Sequence, residues 1–129
     1  MTEKSYYNKL NKYYIEYSKV IGKSIAWEAK FTRTNRLNFK CLAEHQEEKL
    51  LKAEIAYGEK IADAGLMKKP FDGYVLYKAR SFFIAIYFLP RHTEVYEIPI
   101  RDFLKEKYAG KEKSLTKERA SQIGRRIFI

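Results

Sequence analysis

Cysteine is almost absent from this chain: Cys41 stands alone, which excludes an internal disulfide and any zinc site built on several cysteines. Histidine occurs twice, at His45 and His92, so no histidine-rich metal cluster is expected. No run reaches the roughly 18 apolar residues of a membrane-spanning helix, and no membrane segment is expected. The first residues, MTEKSYYNKL, lack the apolar core of a secretory signal. A reducing, cytoplasmic setting is therefore expected, in a cell or, for a viral protein, in its host. Proline occurs three times, at Pro70, Pro90 and Pro99, each where an extended segment begins or ends. Repeats, low-complexity tracts and Gly/Ser linkers are missing, so residues 1–129 read as one domain.

Acid is also scarce. Asp and Glu number 16 against 26 Lys and Arg, a formal net charge of +10 on 129 residues. That excess points to a polyanionic partner, nucleic acid first and an anionic membrane surface second. A hydrophobic fraction of 46% is ample for a core and argues against wholesale disorder. Aromatics reach 16%, dominated by 11 Tyr and 8 Phe, which serve cores and stacking surfaces alike.

Apolar spacing predicts the elements. Thr2 to Ile21 reads as a helix on Tyr6, Leu10, Tyr13, Tyr17 and Val20, ended by Gly22. Ser24 to Thr32 alternates as a strand, with Ile25, Trp27, Ala29 and Phe31 on one face and Ala26, Glu28, Lys30 and Thr32 on the other. Thr34 to Lys40 reads as a basic connection, and Leu42 to Tyr57 as a helix with Leu42, Gln46, Leu50, Ala53 and Tyr57 on one face. Gly58 to Lys69 is a looser connection. Strands follow at Phe71–Tyr77, Ser81–Leu89 and Thr93–Ile100, and the near-continuous run FFIAIYFL suits a strand covered on both faces. A short helix at Arg101–Tyr108, a basic loop, and a last helix from the N-cap Thr116 to Ile123 complete the chain. The class is α/β with a mixed sheet.

Glu28-Ala29-Lys30 is the most informative tripeptide. Residues two apart on a strand point the same way, so a carboxylate and an ammonium project together. That pair suits metal-assisted phosphodiester hydrolysis; it equally forms a plain ion pair on a sheet face. A second acid is needed, and Asp72, between Pro70 and Gly73, is the leading candidate, with a simple turn residue as the rival reading. Gln46 is an amide on the inward side of a helix and needs partners, from a metal–water site or from backbone. His45 reads as a nucleic-acid contact or a structural residue.

Trp27-Glu28-Ala29-Lys30-Phe31-Thr32, then Asn38-Phe39, Leu42 and Glu44-His45-Gln46, resembles the PD-(D/E)xK nuclease superfamily, and within it the RecU-type Holliday-junction resolvases. The resemblance is good over Trp27 to Gln46 and loose in the final third, at Lys113–Thr116 and Ile123-Gly124. It implies a restriction-endonuclease-like core, a mixed central sheet flanked by helices. It also implies a Mg²⁺- or Mn²⁺-dependent endonuclease acting on branched DNA, with Glu28 as metal-binding acid, Lys30 as signature lysine and Gln46 as the helix glutamine. A homodimer follows from the same resemblance, since two opposed strands are cut. The family carries its other metal-binding Asp on the strand before E-x-K, and this chain has none there. Pro70-Phe71-Asp72 lies downstream instead, so the expected site is rearranged, with Glu28 and Asp72 as metal ligands and catalytic residues beside Lys30 and Gln46. Glu16, or Glu3 on the same helix, is a candidate further acid, and Glu16 is preferred as the nearer to the strand. The departure leaves a second reading, a nuclease fold that binds nucleic acid without cutting it.

Arg33, Arg36, Lys40 and His45 around the E-x-K strand, with Lys68 and Lys69 before Asp72, are expected to contact DNA phosphates. Lys111, Lys113, Lys117, Arg119, Arg125 and Arg126 add a basic C-terminal region. Tyr108 and Phe128 are candidate stacking residues, with packing roles as the alternative.

Overall fold

The computed structural model describes residues 3–55, 57–61, 74–77 and 79–129, with backbone alone for 57–61 and 74–77. Helix α1 (Glu3–Ile21) buries Leu10 and Tyr14, one turn apart, with Tyr6, Tyr7, Tyr13 and Tyr17 packed beside them. Gly22 ends it at φ 65°, a conformation other residues adopt only at a cost, and the Lys23 N–H closes the cap on the Ser18 carbonyl at 3.3 Å.

Strand β1 (Ile25–Thr32) follows, then β2 (Arg36–Asn38), a 3-10 turn (Phe39–Cys41) and helix α2 (Glu44–Ile55). A hairpin of β3 (Tyr57–Ile61) and β4 (Tyr74–Tyr77) stands between α2 and β5 (Arg80–Phe88). Next come β6 (Thr93–Pro99), α3 (Ile100–Tyr108), β7 (Ser114–Thr116), α4 (Lys117–Ile123) and β8 (Arg125–Ile127). The central sheet has the order β1-β5-β6-β8, with β1 parallel to β5 and the other pairs antiparallel. β2 and β7 form a separate two-stranded ribbon.

The sheet is mixed and flanked by helices on both faces. On one face α1 sets Leu10 and Tyr14 against Ala29, Ile84, Ile86 and Val95. On the other, Leu50 of α2, Phe103 of α3 and Ala120 of α4 cover Phe83, Ala85 and Ile98. β5 is buried on both sides, as its unbroken apolar run requires, and its Phe83 stacks on Phe103 at 3.9 Å between ring centres. Burying each such side chain contributes about 1.5–3 kcal/mol.

Several bounds differ from expectation. α2 starts at Glu44 rather than Leu42, because Leu42 is extended (φ −94°, ψ 113°) and buried beneath the 3-10 turn. It ends at Ile55, and Tyr57 opens β3 instead of continuing the helix. The connection at residues 34–40 holds β2 and the turn, fixed by pairing with β7 far along the chain. Beyond Gly124 the chain adds β8. A Cβ on Gly124 would stand 2.6 Å from the Glu97 carbonyl, so glycine lets the chain pass close to β6. Of the expected strand at Phe71–Tyr77, Tyr74–Tyr77 is β4; residues 71–73 lie outside the described residues. No helix among the described residues is long and apolar enough to cross a membrane.

Candidate active site on strand β1

Alternation along β1 sends Trp27, Ala29 and Phe31 toward α1, where Trp27 stacks on Tyr14 at 5.7 Å. Glu28 and Lys30 consequently face the α2 side. The Lys30 Nζ lies 3.5 Å from Glu28 Oε1, and both side chains are about one-third exposed. Gln46 donates from Nε2 to the same Oε1 at 3.2 Å. Both contacts fall on one oxygen, so neither group covers Oε2.

Gln46 is held by the start of its own helix. Ala43 is the N-cap of α2: its carbonyl accepts the N–H of Gln46 at 2.9 Å and of Glu47 at 3.0 Å. The Gln46 Oε1 accepts the Ala43 N–H at 3.1 Å, the reach-back half of a capping box. The partners of the amide are the backbone, through Oε1, and the Glu28 carboxylate, through Nε2.

α3 secures that helix start from behind. The Lys107 Nζ donates to the Leu42 carbonyl at 2.9 Å and meets Glu47 Oε2 at 3.2 Å. Glu47 is 4% exposed and also accepts the Tyr108 hydroxyl, whose pKa is pushed up to about 12, chiefly by that hydrogen bond. Tyr108 is largely exposed but tethered through its hydroxyl; Phe128 is exposed with Arg126 over its ring.

On α1, Tyr7 donates to the Ala29 carbonyl at 3.0 Å, which places it at the β1 edge of the site. Its pKa is pushed up by burial first and then by the carboxylates of Glu3 and Glu28. Glu3 is thus the α1 acid that shares this neighbourhood. Glu16, preferred from the sequence, is exposed and pairs with Lys19 at 3.3 Å, beside Tyr13, Tyr17 and Ile129. It is not brought to Glu28. Cys41 borders the site too: burial pushes its thiol up to about 11, against the opposing pull of Lys30 and Lys107.

Asp72, Lys68 and Lys69 lie outside the described residues. Among the described residues no three His, Cys, Asp or Glu side chains gather into a metal-holding group. The donor set at Glu28 fits one protein ligand of a hard cation that keeps most of its waters, as Mg²⁺ does, and falls short of an all-protein cage.

Arg36, Lys40 and His45 are exposed along β2, the 3-10 turn and the first turn of α2. Arg33 lies over the Phe88 ring at 5.1 Å. The C-terminal cations are largely committed to carboxylates. Lys117 meets Glu94 at 3.0 Å, Arg125 meets Glu97 at 2.9 Å, and Arg119 pairs with Glu106. Arg126 also approaches Glu94, at 3.8 Å. Burial pushes the Glu94 carboxyl up, but hydrogen bonds from Tyr96, His92 and Lys117 outweigh it and hold the group at about 2. Glu97, buried against α1, accepts the Tyr14 hydroxyl at 2.8 Å. Glu47, Glu94 and Glu97 were not singled out from the sequence; their partners lie up to 83 residues away along the chain.

In comparisons with known proteins, no family model, no curated protein and no solved structure matches the chain.

Proposed function

We propose that this chain is a metal-dependent DNA endonuclease with a restriction-endonuclease-like core, acting on branched DNA such as a four-way junction. The observation that carries the reading is the convergence of Lys30 and Gln46 on Glu28 Oε1. A carboxylate oriented by an amide and flanked by an ammonium, on an edge strand with exposed Arg36 and Lys40 nearby, suits phosphodiester chemistry. Glu28 is the ligand for a divalent cation, and Asp72 is proposed as the second. Bound there, the cation supplies a water of lowered pKa and positive charge at the phosphate. Gln46 keeps Glu28 from rotating. Lys30 offers its ammonium to a non-bridging phosphate oxygen or to the attacking water. Two copies related by a twofold axis would present two such sites to opposed strands.

A second reading is favoured by one specific observation: among the described residues no three His, Cys, Asp or Glu side chains gather into a metal-holding group. It is a nucleic-acid-binding protein of the same fold without cleavage. The deciding experiment is cleavage of a mobile four-way junction and a matched linear duplex by wild type, Glu28→Gln and Asp72→Asn, with Mg²⁺ and with EDTA. Paired symmetric nicks in the junction, abolished in both variants and in EDTA, are expected. Tight junction binding without cleavage under Mg²⁺ or Mn²⁺ would select the binding protein.

A further inference from the structure

A basic concavity lies where β1 and β5 begin. A hollow of about 390 Å³ is lined by Lys23, Glu54, Arg80, Ser81, Pro99 and Arg101. Lys23 follows the left-handed Gly22, and Arg80 is fixed by its N–H donating to the Ser24 carbonyl at 2.9 Å. Arg101 stands in the first turn of α3. Three cations therefore surround one carboxylate. Among the described residues Glu54 pairs with Arg101 alone, at 3.6 Å, longer than a charge-assisted hydrogen bond. Among the described residues neither Lys23 nor Arg80 takes part in an ion pair, in contrast with Lys117, Arg119 and Arg125, which are all paired. Pro99, at the N-cap of α3, makes no side-chain hydrogen bond to the helix, so the positive end of α3 adds to the same field.

We infer that this hollow is a binding site for a phosphate group. Two guanidinium forks and an ammonium around a concavity match the tetrahedral oxygens of phosphate, and arginine is suited to bidentate contact with it. Ser81 is not an available donor, because its hydroxyl is committed to the Leu50 carbonyl at 2.6 Å. Arg80 pairs with Ile25, which packs on the α1 side, whereas Glu28, three residues further along, faces α2. The hollow is therefore a site separate from Glu28, at the end of the sheet where β1 and β5 begin. Its phosphate can be one of a nucleic acid, a clause that rests on the nucleic-acid reading above; a free phosphate compound offers the same chemistry.

The test uses the full chain. Backbone amide NMR shifts are followed on titration with pyrophosphate at constant ionic strength. Wild type is compared with Lys23→Gln/Arg80→Gln and with a charge-matched control, Lys12→Gln/Lys105→Gln, exposed elsewhere. Anisotropy of a labelled duplex is measured against salt on the same proteins. Saturable shifts at Lys23, Arg80 and Arg101 are expected in wild type and control, weakened at least about tenfold in the pocket variant. If the duplex supplies the phosphate, the pocket variant also flattens the slope of log affinity against log salt by about 1 relative to the control. Loss of pyrophosphate binding with unchanged duplex binding assigns the pocket to a free phosphate compound. Pyrophosphate binding by a wild type that binds no duplex would sink the nucleic-acid reading and leave the pocket standing. No saturable shift in wild type overturns the inference, and that arm needs no variant to fold.

Discussion

Gln46 serves two masters through the two ends of one amide. Its oxygen caps α2 and its nitrogen restrains Glu28. Two substitutions separate these roles. Gln46→Glu keeps an oxygen for the Ala43 N–H but sets a second carboxylate against Glu28; it is expected to retain the unfolding midpoint and to lose metal-dependent cleavage. Gln46→Ala removes both contacts and is expected to cost about 1 kcal/mol of stability besides, read from urea denaturation. A stable, fully active Gln46→Glu would show that the Glu28 contact has no catalytic part. The sequence displayed this residue well, since an amide on an apolar helix stripe is conspicuous. Between the α1 acids it favoured Glu16, the nearer to β1 along the chain, which the structure pairs with Lys19. α1 runs back along β1, and Tyr7 therefore brings the opposite end of the helix, with Glu3, to the site.

α2 owes its position to a contact from α3. Lys107 ties the Leu42 carbonyl and buried Glu47 together just before the turn that carries Gln46. Lys107→Met leaves Glu47 buried beside only a tyrosine hydroxyl and is expected to destabilise the fold by about 3 kcal/mol. Adding Glu47→Gln should recover much of that loss, a coupling that a double-mutant cycle measures directly. Such an anchor was not legible from the sequence, because nothing local tells that Glu47 and Lys107, 60 residues apart, will meet. The long elements were legible: α1, β1, β5 and α3 each carry enough alternation or periodicity to declare themselves. β2, β7 and β8 are three residues each, too short for any period, and exist through their partners.

At the scale of the whole molecule, the excess of positive charge divides into two populations. Part of it holds the fold, through Glu94, Glu97 and Glu106; part lies open along β2, the 3-10 turn and the hollow below β1. The structural part sets the acid limit of the protein. Glu94 has a folded pKa of about 2 against an ordinary 4.5. Its contribution is fully present above the unfolded value, and it is lost as pH falls from about 4.5 through 2. It amounts to roughly 3 kcal/mol at neutral pH. Urea midpoints measured across this range should fall for wild type, and Glu94→Gln should start lower and flatten that decline. Composition revealed the charge excess but not this division, since a lysine bound to a buried carboxylate and one facing solvent look alike in a sequence.

The order β1-β5-β6-β8 also has a consequence in time. Among the described residues β1 is an edge strand with one neighbour in the sheet, β5, which follows after 47 intervening residues. Glu28, Lys30 and Gln46 are all synthesised before that neighbour exists. At synthesis rates of about 5–20 residues per second, β1 waits seconds for the strand that fixes its register. Closing so long a loop in parallel pairing is also intrinsically slow. The carboxylate, ammonium and amide are therefore assembled late, by the arrival of FFIAIYF, and a nascent chain stopped before Arg80 holds the site's residues without the sheet that aligns them.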